Sequence, residues 1–498
     1  MKTQASIAVL ALVLGGSLAA CSFAPTYKTP DSGTAPASYK EAGDWKQAQP
    51  ADAQPRGAWW TQFNDPQLNA LEDRVSSANQ DLKAAVARLQ QARAQAGIAR
   101  ADLFPTITLG PSLTRSRTSV NGPHYASGAE PTGNDFLLEA DLSYELDVWG
   151  RVRNALSAAK AGAQASAGDL VTLDLSTHAE LATDYFSLRG ADNQQALLDQ
   201  TVVDYTKALA LEQNLYNGGA AALSDLVQAQ AQLETAKTQA ADVRLQRAQL
   251  EHAIAVLIGE PASSFHIDPT PLQADLGPPA IDPGLPSALL ERRPDVAAAE
   301  RRVAAANANI GVARAAYFPV FSLSASAGYD STHSSNWIQA PSNIWSIGPS
   351  AVLTLFDAGR HASQSAEAHA AYDEQVADYR GSVLNAYREV EDNIAALHHL
   401  EQESVSQAAA VTATQKALQQ AIYRYKGGIV TYLEVVTTEN AALQAQLSAA
   451  NIQARRLNAA VLLVKAVGGG WQSPLSADAT VPAGNTVTAA PATPAAAN

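Results

Sequence analysis

The sequence predicts a mainly α fold with a small β portion, built as an internal twofold repeat. Three observations carry that expectation. Long proline-free stretches, in which apolar residues and Ala recur at helical spacing, occupy most of the chain. Each half also contains two short runs of strict apolar and polar alternation. Finally, AGIARADLFP (Ala96 to Pro105) returns as IGVARAAYFP (Ile310 to Pro319), and YNGGAAALSDLVQAQAQLE (Tyr216 to Glu234) returns as YKGGIVTYLEVVTTENAAL (Tyr425 to Leu443). Offsets of about 214 and about 209 residues are too long for a solenoid and fit duplication of a half-protein. With aromatics at only 6%, the composition suits long helices packed closely through small side chains rather than several compact cores.

The chain opens with Lys2, the apolar run IAVLALVLGG and the small-residue site LAAC (Leu18 to Cys21), which together read as a secretory signal over 1–20. This segment resembles a bacterial lipoprotein signal, and the resemblance implies cleavage before Cys21 and acylation of that residue. Ser22 follows where such signals carry a sorting residue, and the lack of Asp there favours the outer membrane. Cys21 is the only cysteine, so there is no intramolecular disulfide and no thiolate metal cluster. Residues 21–58, with prolines at 25, 30, 36, 50 and 55, read as an extended, lipid-anchored tether. Residues 472–498 are Ala, Pro and Thr of low complexity and are expected to be disordered.

The first repeat, 59–285, begins with helical spacing from Asp65 to Leu103, which Phe104-Pro105 stops. Alternation follows, predicting strands near 106–116 and 135–148. The second repeat, 286–471, predicts strands near 320–330 and 344–356 after Phe318-Pro319. Each segment has roughly the ten residues that a tilted strand needs to cross a bilayer. Four strands cannot close a barrel, and an open edge is not tolerated in lipid. Either the two hairpins are soluble or several chains pool their strands, and the secretory, acylated N-terminus favours the second.

After each hairpin comes a proline-free run of about 65 residues, Gly150 to Tyr216 and Gly359 to Tyr425, on the order of 100 Å if helical. The pairs Gly218-Gly219 and Gly427-Gly428 mark reversals, giving helical tips near 216–226 and 425–435. Return helices of about forty residues follow, with Val243, Leu250, Ile254 and Leu257 at seam spacing. The architecture is therefore one of long antiparallel coiled-coil hairpins.

Chemistry of its own is not expected. No HExxH, GxSxG, Walker or GxGxxG signature occurs, and the adjacent His398 and His399 fall in a helical run. No cofactor and no metal are expected. The formal charge of −14, with no concentrated basic face, excludes nucleic acid as a partner.

WWTQFNDPQLNALEDRV (Trp59 to Val75), YELDVWGRVRNA (Tyr144 to Ala155) and LPSALLERRPDVAAAERRVAAANANIGVARAAYFP (Leu285 to Pro319) resemble the TolC-like outer membrane factors, in particular the lipoprotein branch serving resistance-nodulation-division efflux systems. The resemblance covers roughly residues 56 to 471. It implies a homotrimer with a twelve-stranded barrel in the outer membrane and a helical tunnel across the periplasm. It also implies two partners, a periplasmic adaptor and an inner membrane transporter that supplies the energy. The Phe-Pro sites become the two passages from tunnel to barrel in each chain.

Within that frame, Glu139, Asp141 and Glu145 fall on the polar, lumen-facing side of the second strand as acidic rings. Asp225 and Glu434 occupy equivalent repeat positions at the periplasmic mouth. The family pattern adds Tyr425 to Glu434 at the aperture. It would place an acid where Thr437 stands and a basic partner where Val430 stands. Gly218, Gly219, Gly427 and Gly428 are expected to form the tip turns and to meet the adaptor. Besides an efflux channel, a type I protein-secretion duct and a structural coiled-coil lipoprotein without a pore remain open at this point.

Overall fold

A computed structural model describes residues 22–32, 38–40, 57–121, 130–272, 276–279, 281 and 292–469. The signal over 1–20, Cys21 and the tail over 472–498 lie outside the described residues.

The ordered body opens with a single 3-10 turn, Trp59–Phe63, followed by α1 (Pro66–Ala78) and α2 (Gln80–Ala101). The sequence predicted one helix here, and the structure breaks it at Asn79. The cause is local chemistry, because Asn79 caps α2 by accepting from Leu82 N at 3.0 Å while its amide donates to Leu257 O at 2.9 Å. Asp65 caps α1 in the same way, accepting from the amides of Gln67 at 2.9 Å and Leu68 at 3.1 Å, with Pro66 at the first helical position.

β1 (Thr106–Arg117) and β2 (Thr132–Leu146) form the first hairpin, and α3 (Arg151–Asn217) runs 67 residues before α4 (Leu223–Leu257) returns. The second half repeats the order with α5 (Pro294–Ala315), β3 (Val320–Ser331), β4 (Asn343–Val352), α6 (Arg360–Lys426), again 67 residues, and α7 (Tyr432–Ala466). Both return helices have 35 residues, fewer than predicted, and β4 stops at Val352, short of 356. A 67-residue helix is about 100 Å long. Among the described residues, no helix is long and apolar enough to cross a membrane.

The main core sits around the middle of α3, not at its ends. Tyr185, Phe186 and Leu188 of α3 are buried with Trp59, Phe63, Leu68, Leu71 and Val75, with Ile254 and Ile258 at the end of α4, and with Leu457 and Leu463 of α7. The 68, 71, 75 spacing places one stripe of α1 against this core. Away from it, the seams are held by Ala and medium-sized residues, such as Ala229, Leu233 and Ala236 of α4. Small side chains let the long helices approach closely, and burial rather than polar bonding stabilises them.

The segment predicted as a tether is extended, without helix or strand over 22–32, yet it lies against the body. Ser22 Oγ donates to Asn154 Oδ1 at 3.0 Å, Asn307 donates to Pro25 O at 2.8 Å, and Tyr27 bonds Glu300. Phe23 stacks on Phe318 with centroids 4.3 Å apart. The aromatics interleaved with the prolines give the segment something to bury, which a composition argument overlooks.

Among the ionisable pairs embedded in the core, one joins α1 to α3. Glu72 falls in the buried stripe of α1 and meets His178 of α3 at 2.5 Å, and the imidazole stacks on Trp60 at 4.5 Å. Burial pushes the Glu72 carboxyl up to about 7. Burial opposes charge on His178, but hydrogen bonds to Asp174 and Glu72 outweigh it and lift the imidazolium to about 9. Both groups sit above their unfolded values, so their stabilising contribution is complete at acidic pH and is lost as pH rises through about 7 and then about 9. The melting temperature of the purified protein should therefore fall between pH 6 and pH 10 more steeply than that of a Glu72→Gln, His178→Gln variant. Equal slopes would remove the pair from the stability of the core.

The two faces of the sheet and the two helical tips

All four strands pair antiparallel in the order β1-β2-β3-β4, so β1 and β4 are unpaired edges. The registers are continuous. Asp141 opposes Thr108 and Ser326, Ser143 opposes Thr106 and Ser324, and Ser322 opposes Ser350. Residues directly opposite share a face, so one face carries serines, threonines and carboxylates from end to end. Ser322 and Ser350 hydroxyls meet at 2.7 Å across it, and Ser326 and Ser346 at 2.9 Å. The other face carries Ile107, Leu109 and Leu113 of β1, Phe136, Leu138, Ala140 and Leu142 of β2, Leu323 and Ala325 of β3, and Trp345 and Ile347 of β4. Leu109 is 69% exposed and Trp345 73%. A contiguous exposed apolar face of this size marks a surface that another apolar phase covers.

Glu139, Asp141 and Glu145 all lie on the polar face. Glu145 differs from the other two, since Arg151 at the start of α3 grips it with two bonds of 2.7 and 2.6 Å. Its carboxylate is paired with a guanidinium at the base of the strand.

The passages from helix to strand are alike in both halves. Phe104 N donates to Ala101 O at 2.9 Å and Phe318 N to Ala315 O at 3.1 Å, closing each helix just before the proline. Trp149, three residues past the end of β2, donates its indole N–H to Pro319 O at 2.8 Å and packs on Phe318. The end of the first hairpin is thereby bolted to the start of the second.

The glycine pairs make the tip turns as predicted. Gly219 has φ 75° and Gly428 φ 68°, backbone positions that L side chains rarely adopt. Ala220 N reaches back to Leu215 O at 2.8 Å and Ile429 N to Arg424 O at 2.9 Å, the six-to-one bond of a helix closed by a left-handed glycine.

Within one chain, Tyr425 and Glu434 have separate partners. Tyr425 Oη donates to Glu212 Oε1 of α3 at 2.6 Å, joining the two hairpins. Burial, that bond and the charge of Asp225 in the first turn of α4 all raise the Tyr425 phenol, so it stays protonated. Glu434, in the first turn of α7, is instead paired with Arg424 at 2.6 Å. The basic partner that the sequence reading missed at Val430 thus comes from the last turn of α6. Thr437 bonds only back to Leu433 O at 2.8 Å.

Two further tip residues escaped the sequence reading. Glu212 is 1% exposed, and its Oε2 has no partner. The signal was available, because Tyr205, Leu209, Glu212 and Tyr216 follow seam spacing and place a carboxylate inside it. Glu439 of α7 also leaves Oε2 without a partner, and burial followed by the nearby Asp204 pushes it up to about 7. His398 and His399 are both exposed on α6.

Removing the Tyr425 hydroxyl leaves buried Glu212 without a donor, a loss of about 1–3 kcal/mol. Amide hydrogen exchange near Leu209 and Tyr216 should speed up in Tyr425→Phe while the core around Tyr185 is unchanged. Unchanged exchange at the tip would show that this bond does not hold the hairpins together.

The family described as "Outer membrane efflux protein" matches residues 71–260 and 285–469. Outer membrane protein OprJ of Pseudomonas aeruginosa is 33% identical over 470 residues, covering 93% of this chain and 96% of that relative. The pyoverdine export outer membrane protein OpmQ of Pseudomonas putida is 33% identical over 467 residues, with 93% and 97% covered. The solved outer-membrane channel OprN superposes with a TM-score of 0.82 at 30% identity, covering 91% of this chain and all of that one. By sequence over both halves and by structure along nearly its whole length, the chain belongs to the outer membrane efflux protein family.

Proposed function

We propose that three copies of this chain close a twelve-stranded barrel and continue it as a helical tunnel, forming the passive exit duct of a tripartite efflux pump. The observation that carries this reading is a sheet with one polar face, one apolar face and two unpaired edges, attached to helices about 100 Å long. In lipid the edges must pair, and pairing β4 of one copy with β1 of the next satisfies them. The serine face with Glu139 and Asp141 then lines the lumen, and the apolar face meets the acyl chains.

The periplasmic end is the constriction in this reading. Asp225, Tyr425 and Glu434 stand near it, and the turns at Gly218, Gly219, Gly427 and Gly428 present the surface that meets a periplasmic adaptor. An inner membrane transporter supplies the energy and selects the cargo, small molecules such as drugs or toxic compounds. Acylated Cys21 anchors the chain to the outer membrane.

Single-channel current across a planar bilayer tests the duct. Small steps in the wild type that grow several-fold in Asp225→Ala, Glu434→Ala are expected. An intact trimer that never conducts would leave a structural coiled-coil lipoprotein instead, and equal steps in the two proteins would move the gate elsewhere. Radiolabelled palmitate should be incorporated by the wild type and not by Cys21→Ser. Incorporation by the variant would remove the anchor from Cys21.

A further inference from the structure

The charges of the four strands are sorted by face. Asp135, Glu139, Asp141 and Glu145 of β2 alternate onto one face, and Asp330 of β3, opposite Leu137, joins them there. The only cations in the strands, Arg115 and Arg117 of β1, fall on the other face. Their partners across the register are Asn134 and Thr132, in step with Phe136, Leu138 and Leu142. Both arginines are exposed, and neither has an ion pair among the described residues.

Their height is as specific as their face. Arg115 lies eight residues beyond Ile107, about 27 Å along a strand. That is the end of β1 remote from the helices. It is one pleat past the level at which Leu113 opposes Phe136; on the same apolar face Tyr329 stands one pleat lower, level with Leu138 and Pro111, and Trp345 two pleats lower, level with Ala140 and Leu109. Aromatic side chains are enriched at the boundary between hydrocarbon and headgroups, and Phe136 is the one nearest the arginines in the register. An outward arginine is costly at the middle of a bilayer and costs close to nothing at its boundary. The sequence Ile107, Leu109, Leu113, Arg115, Arg117 therefore reads as an apolar stripe that ends in two guanidinium groups at headgroup depth.

We propose that Arg115 and Arg117 form a docking site for phosphorylated lipid headgroups of the outer leaflet, an inference that rests on the membrane barrel reading above. Charge complementarity selects the occupant. All carboxylates of the strands are on the far face, and among the described residues no ion pair neutralises either arginine. Guanidinium groups bind phosphate oxygens through paired N–H bonds, and two of them about 7 Å apart along one strand suit a headgroup carrying two phosphates. The site holds the barrel at a fixed depth from its outer end.

The test uses the detergent-purified full-length protein and lipid A with both phosphates, and bound lipid is read by native mass spectrometry. Arg115→Gln, Arg117→Gln should bind roughly tenfold or more weakly. Arg115→Lys, Arg117→Lys should keep part of the binding, and Arg93→Gln on α2 should match the wild type. Dephosphorylated lipid should bind the wild type no better than the double Gln variant. Equal retention of lipid A by the wild type and the double Gln variant, or equal retention of both lipids by the wild type, would overturn the proposal. Bilayer currents from the same preparations separate the two readings. Channels in both proteins with equal lipid binding sink the lipid site alone, whereas a folded wild type without channels sinks the barrel and the site with it.

Discussion

The backbone hydrogen bond is the interaction on which the rest of this structure depends. In water an unpaired strand edge is a modest liability, but in hydrocarbon each unbonded N–H or C=O costs several kcal/mol. One copy supplies four strands and two open edges, β1 and β4. In the duct proposed above, these edges are satisfied by pairing with further copies of the chain. The same requirement explains why the helices carry the periplasmic part. They satisfy their backbone internally and need a partner only for side-chain burial.

The rigid middle and the looser ends follow from where the large side chains are. Aromatic and branched residues gather around Tyr185 and Phe186, where α1, α3, α4 and α7 meet. Toward the tips a smaller cluster, Tyr432, Val435 and Val436 against Leu209, Ile422 and Tyr425, is joined by a few polar links, the Tyr425 to Glu212 bond and the Arg424 to Glu434 pair. Exposed ion pairs contribute little, and Glu212 and Glu439 each bury an unpartnered oxygen.

Much of the fold was legible before any coordinates. The Phe-Pro motifs placed both helix-to-strand passages, the glycine pairs placed both reversals, and strict alternation placed all four strands to within a few residues. These are local signals, each governed by dihedral restriction or by the two-residue period of a strand. The break at Asn79 was not legible, because the carbonyl that its amide serves belongs to Leu257, far along the chain. The docking of 22–32 was missed for a similar reason, since Phe23 finds Phe318 only after folding.

The sequence by itself determined which residues are helix, strand and turn, which face of each strand is polar, and that one unit is used twice. Tertiary structure alone decided which acids remain free. Glu145 is taken by Arg151, Glu434 by Arg424, and Glu212 enters the site because α3 packs against the second hairpin. Periodicity reports a residue's face but not the residue it meets there, and the partner at each of these positions comes from another element.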